Sequence, residues 1–321
     1  KDILLSESPW VMEAKTEAEQ KERIATLFDL NNIRNNNITA LTRLKELQQS
    51  DGSWAWFKGM NGSRYITDYV AVLNARLALL TGNPLVGEDL SMQRAAFGFL
   101  SKEAVEEYKN ILKAEKNGNK VNGLSREALN YLYLVAITGE KVPANAQTAY
   151  NYFLSKVTGM LTIRSMADKA LAAIVLDKAG HKKEAQEFVA SLKQYLTKSD
   201  EQGMFFAFNE NPYSWGGLQI PAHVDVMEAL DLVAGDKATV EEMKLWLLKQ
   251  KQTQAWDSPV TTADAVYALL QRGTSLLTNQ GDVRITIANE VLETLSPAKT
   301  SVPGLGYIMR HYTYPFLSMF G

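Results

Sequence analysis

The chain has 321 residues, 46% of them hydrophobic, with 34 basic and 36 acidic side chains and no cysteine. A chain this long buries roughly 75% of its unfolded surface and needs no covalent staples; without cysteine it has no disulfide, no thiolate zinc ligand, no cysteine nucleophile and no thioester of its own. A net charge of −2 gives no electrostatic reason to bind nucleic acid or an anionic membrane, and there is no apolar run of about 18 residues to span a bilayer.

Lys1 opens the chain without methionine or a signal segment, and Ile3-Leu4-Leu5 and Pro9-Trp10-Val11-Met12 read as interior sequence. The chain is therefore expected to be a piece of a longer polypeptide. Helices are predicted at residues 16–30 and 36–48, and residues 89–116 form one long helix or two. Five segments then share a layout: a turn, a polar first turn, an apolar helix and a closing glycine. They are residues 65–82, 124–139, 162–180, 218–235 and 259–273. Val70, Leu73, Leu77 and Leu80 recur at helical spacing in the first, and Leu171, Ala172, Ile174, Val175 and Leu176 leave the third almost no polar side. A helix apolar around most of its circumference is buried on most sides. Gly82, Gly139, Gly180, Gly235 and Gly273 suit the left-handed residue that ends a helix.

More charged helices follow the apolar ones, at residues 143–157, 182–196 and 239–248. The second carries Ala185, Phe188, Val189, Leu192 and Leu196 on one face, as an amphipathic surface helix does. The closing glycines are 57, 41, 55 and 38 residues apart, which is not the fixed period of a solenoid. Fixed alternation with variable length predicts an all-α domain over residues 1–273, closed as a double ring. About eleven helices are counted, whereas a six-hairpin α/α toroid needs twelve; the absent one is expected upstream of Lys1. Residues 282–288 alternate, with Val283, Ile285 and Ile287 against Arg284, Thr286 and Ala288, as a half-buried strand does. Residues 274–321 are accordingly expected to be a lone β segment belonging to a following β-sandwich domain.

Aromatic motifs join the hairpins. Gln48-Gln49-Ser50-Asp51-Gly52-Ser53-Trp54 has the spacing Gln-x3-Gly-x-Trp, with Trp56 and Phe57 after it. Degenerate partners are Gln252 and Trp256, and Gly203-Met204-Phe205-Phe206 followed by Trp215-Gly216-Gly217. The glycine permits a sharp turn. The Trp either plugs the gap before the next inner helix, with its N–H on a turn carbonyl, or forms an aromatic wall for a sugar or terpene.

Residues 41–82 resemble the thioester-type, complement-like domain of bacterial α2-macroglobulins. Ser8 to Ala14, Lys21 to Asn32, Trp256 to Leu270 and Gly304-Leu305-Gly306-Tyr307 are similar to further parts of it in matching order, and the likeness is nearest to the long Bacteroidetes versions. The resemblance runs to about Tyr312; residues 313–321 fall outside it. It implies the α/α toroid shared by terpenoid cyclases, prenyltransferases and complement thioester domains. It also implies a periplasmic or cell-envelope protease trap. In that trap a protease cuts a bait region elsewhere in the larger protein, and an exposed thioester acylates the attacker. The Cys-x-Glu-Gln motif would precede Lys1, so no residue here inherits that role. By this reading the chain is not an enzyme, needs no cofactor or metal, and meets proteases through its parent and neighbouring β domains of the same polypeptide.

An enzymatic alternative rests on acidic residues near the starts of the apolar helices: Asp68, Glu127, Asp168, Asp225 and Asp264. Gathered at one mouth of a toroid, carboxylates from Asp68, Asp225 and Asp264 would serve a glycoside hydrolase or lyase as acid and base. The plainer expectation is that each sits in a first turn and satisfies free N–H groups and the helix dipole. Asp225, Glu228 and Asp231 share a helix face but lack the adjacent acidic pair of a terpene cyclase. His223 and Asp225 diverge by about 200° on a helix, so His223 is expected as a cap or hydrogen-bonded surface residue. Gly304-Leu305-Gly306 lacks the third glycine and following helix of a phosphate loop. Residues 102–120, mixed in charge, read as a solvated face.

Overall fold

A computed structural model describes residues 30–119, 123–162, 165–206, 219–253, 258–272, 283–287 and 290–295. The chain divides into two compact units, residues 41–274 and residues 1–40 with 275–321. The described residues are mostly helical, with ten α-helices and two small hairpins.

The helices are α1 (Leu30–Leu47), α2 (Arg64–Thr81), α3 (Gly87–Lys116), α4 (Arg126–Thr138), α5 (Gln147–Val157), α6 (Met166–Lys178), α7 (Lys182–Lys193), α8 (Gln219–Ala229), α9 (Lys237–Thr253) and α10 (Pro259–Gln271). Helix α3 is a single rod of 30 residues, and α1, Leu30–Leu47, spans the gap left between the helices expected at residues 16–30 and 36–48. A π-helical turn, Leu230–Ala234, extends α8 to the left-handed Gly235. Gly82 and Gly139 close α2 and α4 in the same conformation. Gly273 lies outside the described residues, as do residues 1–29 and 296–321.

Serine starts four of the apolar helices. Ser63, Ser125, Ser165 and Ser258 accept from the backbone N–H three residues on, at Ile66, Ala128, Asp168 and Thr261. Such a cap satisfies one of the donors that a helix start leaves open. The apolar helices touch in cyclic order: α2 packs on α4, α4 on α6, α6 on α8, α8 on α10, and α10 on α2. The amphipathic helices pack on them: α3 on α2, α5 on α4, α7 on α6, and α9 on α8 and α10.

Helix α6 is the most enclosed, with every residue from Lys169 to Leu176 buried. Burial of Leu171, Ile174 and Leu176 contributes about 1.5–3 kcal/mol each. Lys169 is tolerated there because its ammonium reaches Ser191 Oγ of α7 at 3.1 Å and lies over the Tyr195 ring. Helix α7 buries only Ala185, Phe188, Val189 and Leu192, one face of an otherwise polar rod.

Both hairpins correct the sequence reading. Gly203-Met204-Phe205-Phe206, expected as a variant of the Gly-Trp loop, is strand β2 (Gly203–Phe206), paired antiparallel with β1 (Leu196–Ser199). Gly203 has φ +75°, and a Cβ there would lie 2.2 Å from Glu242 O, so the strand starts against the backbone of α9 where only glycine fits. The strand expected to be lone is β3 (Val283–Ile287), and it pairs antiparallel with β4 (Glu290–Leu295). A strand's backbone donors and acceptors demand partners, and Glu290–Leu295 lies close enough in sequence to supply them.

Candidate functional site: a carboxylate-lined chamber

The carboxylates of Asp68, Asp225 and Asp264 line one chamber of about 300 Å3, together with Tyr65, Arg126 and Asn130. They arrive from α2, α8 and α10. None of the three lies in the first turn of its helix. The expectation that they cap helix starts is corrected: Ser63 and Ser258 take that role at α2 and α10, and all three acids stand further in. Glu127 and Asp168 do lie in first turns.

Arg76 of α2 ties the chamber wall together. Its Nη1 donates to Asp264 Oδ1 at 2.9 Å, and its Nη2 donates to Glu228 Oε2 at 2.9 Å and Asp225 Oδ1 at 3.1 Å. The guanidinium also lies against Tyr133, whose hydroxyl donates to Glu228 Oε2 at 2.7 Å. Behind Glu228, Arg272 donates to Oε1 at 2.7 Å and touches the hydroxyl of Tyr267. Arg126 of α4 donates to Asp168 at 2.5 Å and to Asp225 Oδ2 at 3.3 Å. One buried guanidinium thus bonds side chains of three other apolar helices. Charges so far from water persist only when paired and hydrogen-bonded.

The chamber acids differ in their ease of ionisation. Burial pushes Asp68 up to about 7, against a smaller opposing pull from Asn130, Arg64 and Arg126. Burial also raises Asp264 to about 6, although Arg76 opposes it, and raises Asp225 above its ordinary value. Burial would raise Glu228 too, but Arg76 and Arg272 outweigh it and hold Glu228 below its ordinary value. Asp225, Asp264 and Glu228 are held by guanidiniums. Asp68 is the exception: it is 4% exposed and its Oδ1 has no hydrogen-bond partner.

None of the residues Gln48 to Trp54 lines the chamber. Gln48 Nε2 donates to Gly52 O and Met92 O at 3.0 and 2.9 Å. Gly52 has φ +90° and sits where a Cβ would lie 2.2 Å from Ala95 O. Trp54 is buried, its Nε1 donating to Leu44 O at 2.9 Å. Trp54 therefore joins α1, the turn and α2, with its polar tip satisfied. Trp56 is half exposed and stacks on Tyr65 at 5.5 Å. Trp256, like Trp215, lies outside the described residues.

His223 and Asp225 diverge. His223 is buried, a correction to the expected surface position; its Nε2 lies 3.0 Å from Met243 O and its ring 4.4 Å from that of Trp246. Burial lowers it to about 4, outweighing the Met243 carbonyl. Among the described residues, no three His, Asp or Glu side chains are placed to hold a metal ion, and no helix is long and apolar enough to cross a membrane.

Sequence reasoning missed Arg76, Arg126, Arg272, Tyr133 and Tyr267. A signal was present: Arg76 stands between Ala75 and Leu77, and Glu228 between Met227 and Ala229, and charge within an apolar stretch demands a buried partner. Which partner depended on how the helices pack.

Compared with known proteins, the chain matches no family model and has no significant match to a curated protein.

Proposed function

We propose that this chain is a non-catalytic helical domain, the α/α-toroid portion of an envelope α2-macroglobulin-like protease trap, which shelters or presents a thioester region on polypeptide preceding Lys1. The observation that carries the reading is the cyclic contact order of α2, α4, α6, α8 and α10, each packed against an amphipathic helix. Five inner helices suit a six-hairpin ring that takes one more from outside. An apolar groove of about 720 Å3 between α2 and α10, lined by Leu73, Leu77, Leu80, Ala263 and Val266, suits such a sixth helix. The family segments and the buried guanidinium hub, which fixes Asp225 and Asp264 in place, fit a steric role. The test is to express the full reading frame and challenge it with proteases of differing specificity. Covalent protease adducts or shielding of the bound protease from large substrates are expected. A reading frame confined to these residues, or a full-length protein that proteases cut without being retained, would overturn the proposal.

A second reading, an α/α-toroid glycoside hydrolase or lyase, draws on the convergence of Asp68, Asp225 and Asp264 on one chamber. It requires polysaccharide cleavage that disappears when any of the three is replaced by Ala.

A further inference from the structure

The sequence contains three Asn-Gly pairs, at residues 61–62, 117–118 and 122–123; Asn122 lies outside the described residues. Asn61 and Gly62 stand in irregular backbone just before α2, and Asn117 and Gly118 stand at the end of α3. Both asparagines are exposed. The two sites differ in their backbone bonds. Gly118 N–H donates to Glu115 O at 3.0 Å, and Asn117 N–H donates to Lys113 O and Ala114 O. Among the described residues, Gly62 N–H and the Asn61 carboxamide have no hydrogen-bond partner. Bonds hold the flanking residues instead: Met60 O accepts from Gln49 Nε2 at 2.7 Å, and Ser63 N–H donates to Trp54 O at 2.8 Å.

We propose that Asn61 is a site of spontaneous deamidation, and that its isoaspartate product loosens the Trp54 turn. Glycine puts no side chain beside the attacking nitrogen, and no hydrogen bond has to be broken to free it. The Gly62 amide nitrogen attacks Asn61 Cγ. The new N–Cγ bond closes a succinimide ring, the Cγ–Nδ2 bond breaks, and ammonia leaves with the amide proton. Water then opens the ring. Cleavage on the Cγ side leaves an aspartate side chain on an ordinary main chain; cleavage on the α-carbonyl side routes the main chain through Cβ and Cγ and lengthens it by an atom. That atom falls between two tied points, Met60 and Ser63. On one side Gly62 is closed off by Ser53, whose Oγ would lie 1.9 Å from a Cβ placed there. Accommodating the longer chain strains the Ser63–Trp54 bond, and with it the cap in which Ser63 Oγ accepts from Ile66 N–H. This inference does not depend on the protease-trap reading.

Incubation of the full chain at pH 8 in water enriched in heavy oxygen, followed by peptide mapping, tests the site. The Asn61 peptide should lose ammonia and gain a solvent oxygen about tenfold faster than the Asn117 peptide, the factor that a backbone hydrogen bond on the attacking nitrogen supplies. In urea, where neither glycine N–H is held, the two rates should converge. Equal rates in the folded chain, or a difference of the same size in urea, would overturn the site. The consequence is read on the form carrying isoaspartate at this position, separated by chromatography. Its unfolding midpoint should lie below that of Asn61→Asp, which carries the same charge on a main chain of ordinary length; matching midpoints would overturn the loosening. The rates are measured on the unsubstituted chain, so the test survives a variant that fails to fold.

Discussion

Arg76 and Glu228 stand 152 positions apart in the chain, yet Nη2 and Oε2 meet at 2.9 Å with neither side chain more than 6% exposed. The pair joins the first of the cyclically packed helices to the fourth. Asp225, Asp264 and Tyr133 converge on the same guanidinium, so a single cation sets the spacing of four helices.

Removal of that cation should be severe. Arg76→Leu leaves Asp225, Asp264 and Glu228 short of a partner in a buried site, and should destabilise the domain by about 3–5 kcal/mol at pH 7. Urea unfolding followed by circular dichroism measures it. The deficit should shrink toward pH 5, as the orphaned carboxylates take up protons. A loss below 1 kcal/mol would mean that the hub is solvated and the network adds little.

Asp68 gives the opposite pattern. Its ordinary value is 3.8 and its folded value about 7, so between these limits the folded state binds more protons than the unfolded one. Stability is then fully retained near pH 4 and falls as pH rises through 7. The loss should be on the order of 2–4 kcal/mol. Asp68→Asn should flatten this limb and be the more stable protein at pH 8. Thermal melts across pH 5–8 decide it; parallel curves for the two proteins would refute the assignment.

His223 acts at the acid end. With a folded value of about 4 against an ordinary 6.5, it contributes stability present above 6.5 and lost as pH falls toward 4. Its imidazole proton resonances should hold their neutral positions to below pH 5. A midpoint near 6.5 in a fully folded sample would show that the ring is open to water.

The Gly52–Trp54 turn should tolerate nothing larger or smaller. Trp54→Ala removes a buried indole and its bond to Leu44 O, at a cost of about 3–5 kcal/mol. Gly52→Ala forces a positive φ on alanine and drives its Cβ into Ala95 O, so soluble yield should drop sharply. A wild-type unfolding midpoint for either variant would contradict the plug.

The groove between α2 and α10 separates this chain from its proposed parent. Leu77 and Val266 are 45% and 42% exposed there. Leu77→Asp and Val266→Asp should change this chain's stability by less than about 0.5 kcal/mol, yet destabilise the full-length protein if a sixth helix covers them. Melts of both forms supply the comparison, and equal tolerance in both would leave the groove open to water.

Periodicity located most of the helices. Apolar residues at spacings of three and four specify which face is buried, as in α6 and α7, and closing glycines such as Gly82 and Gly139 mark where the rods stop. The Gln48–Trp54 spacing located a tight turn for the same reason: only glycine accepts that backbone angle. These are local constraints, and local sequence carries them. Tertiary packing decided what the buried charges do. Nothing near Arg76 in the chain says that its partners are Asp225, Glu228 and Asp264, because those contacts span some 150–190 residues. Nor could spacing reveal that Asp225 and Asp264 receive a guanidinium while Asp68 does not, since that follows from where neighbouring helices aim their arginines. The hairpins were illegible for a related reason. A strand's partner is set by backbone groups that every residue shares, so pairing leaves little mark on side-chain identity.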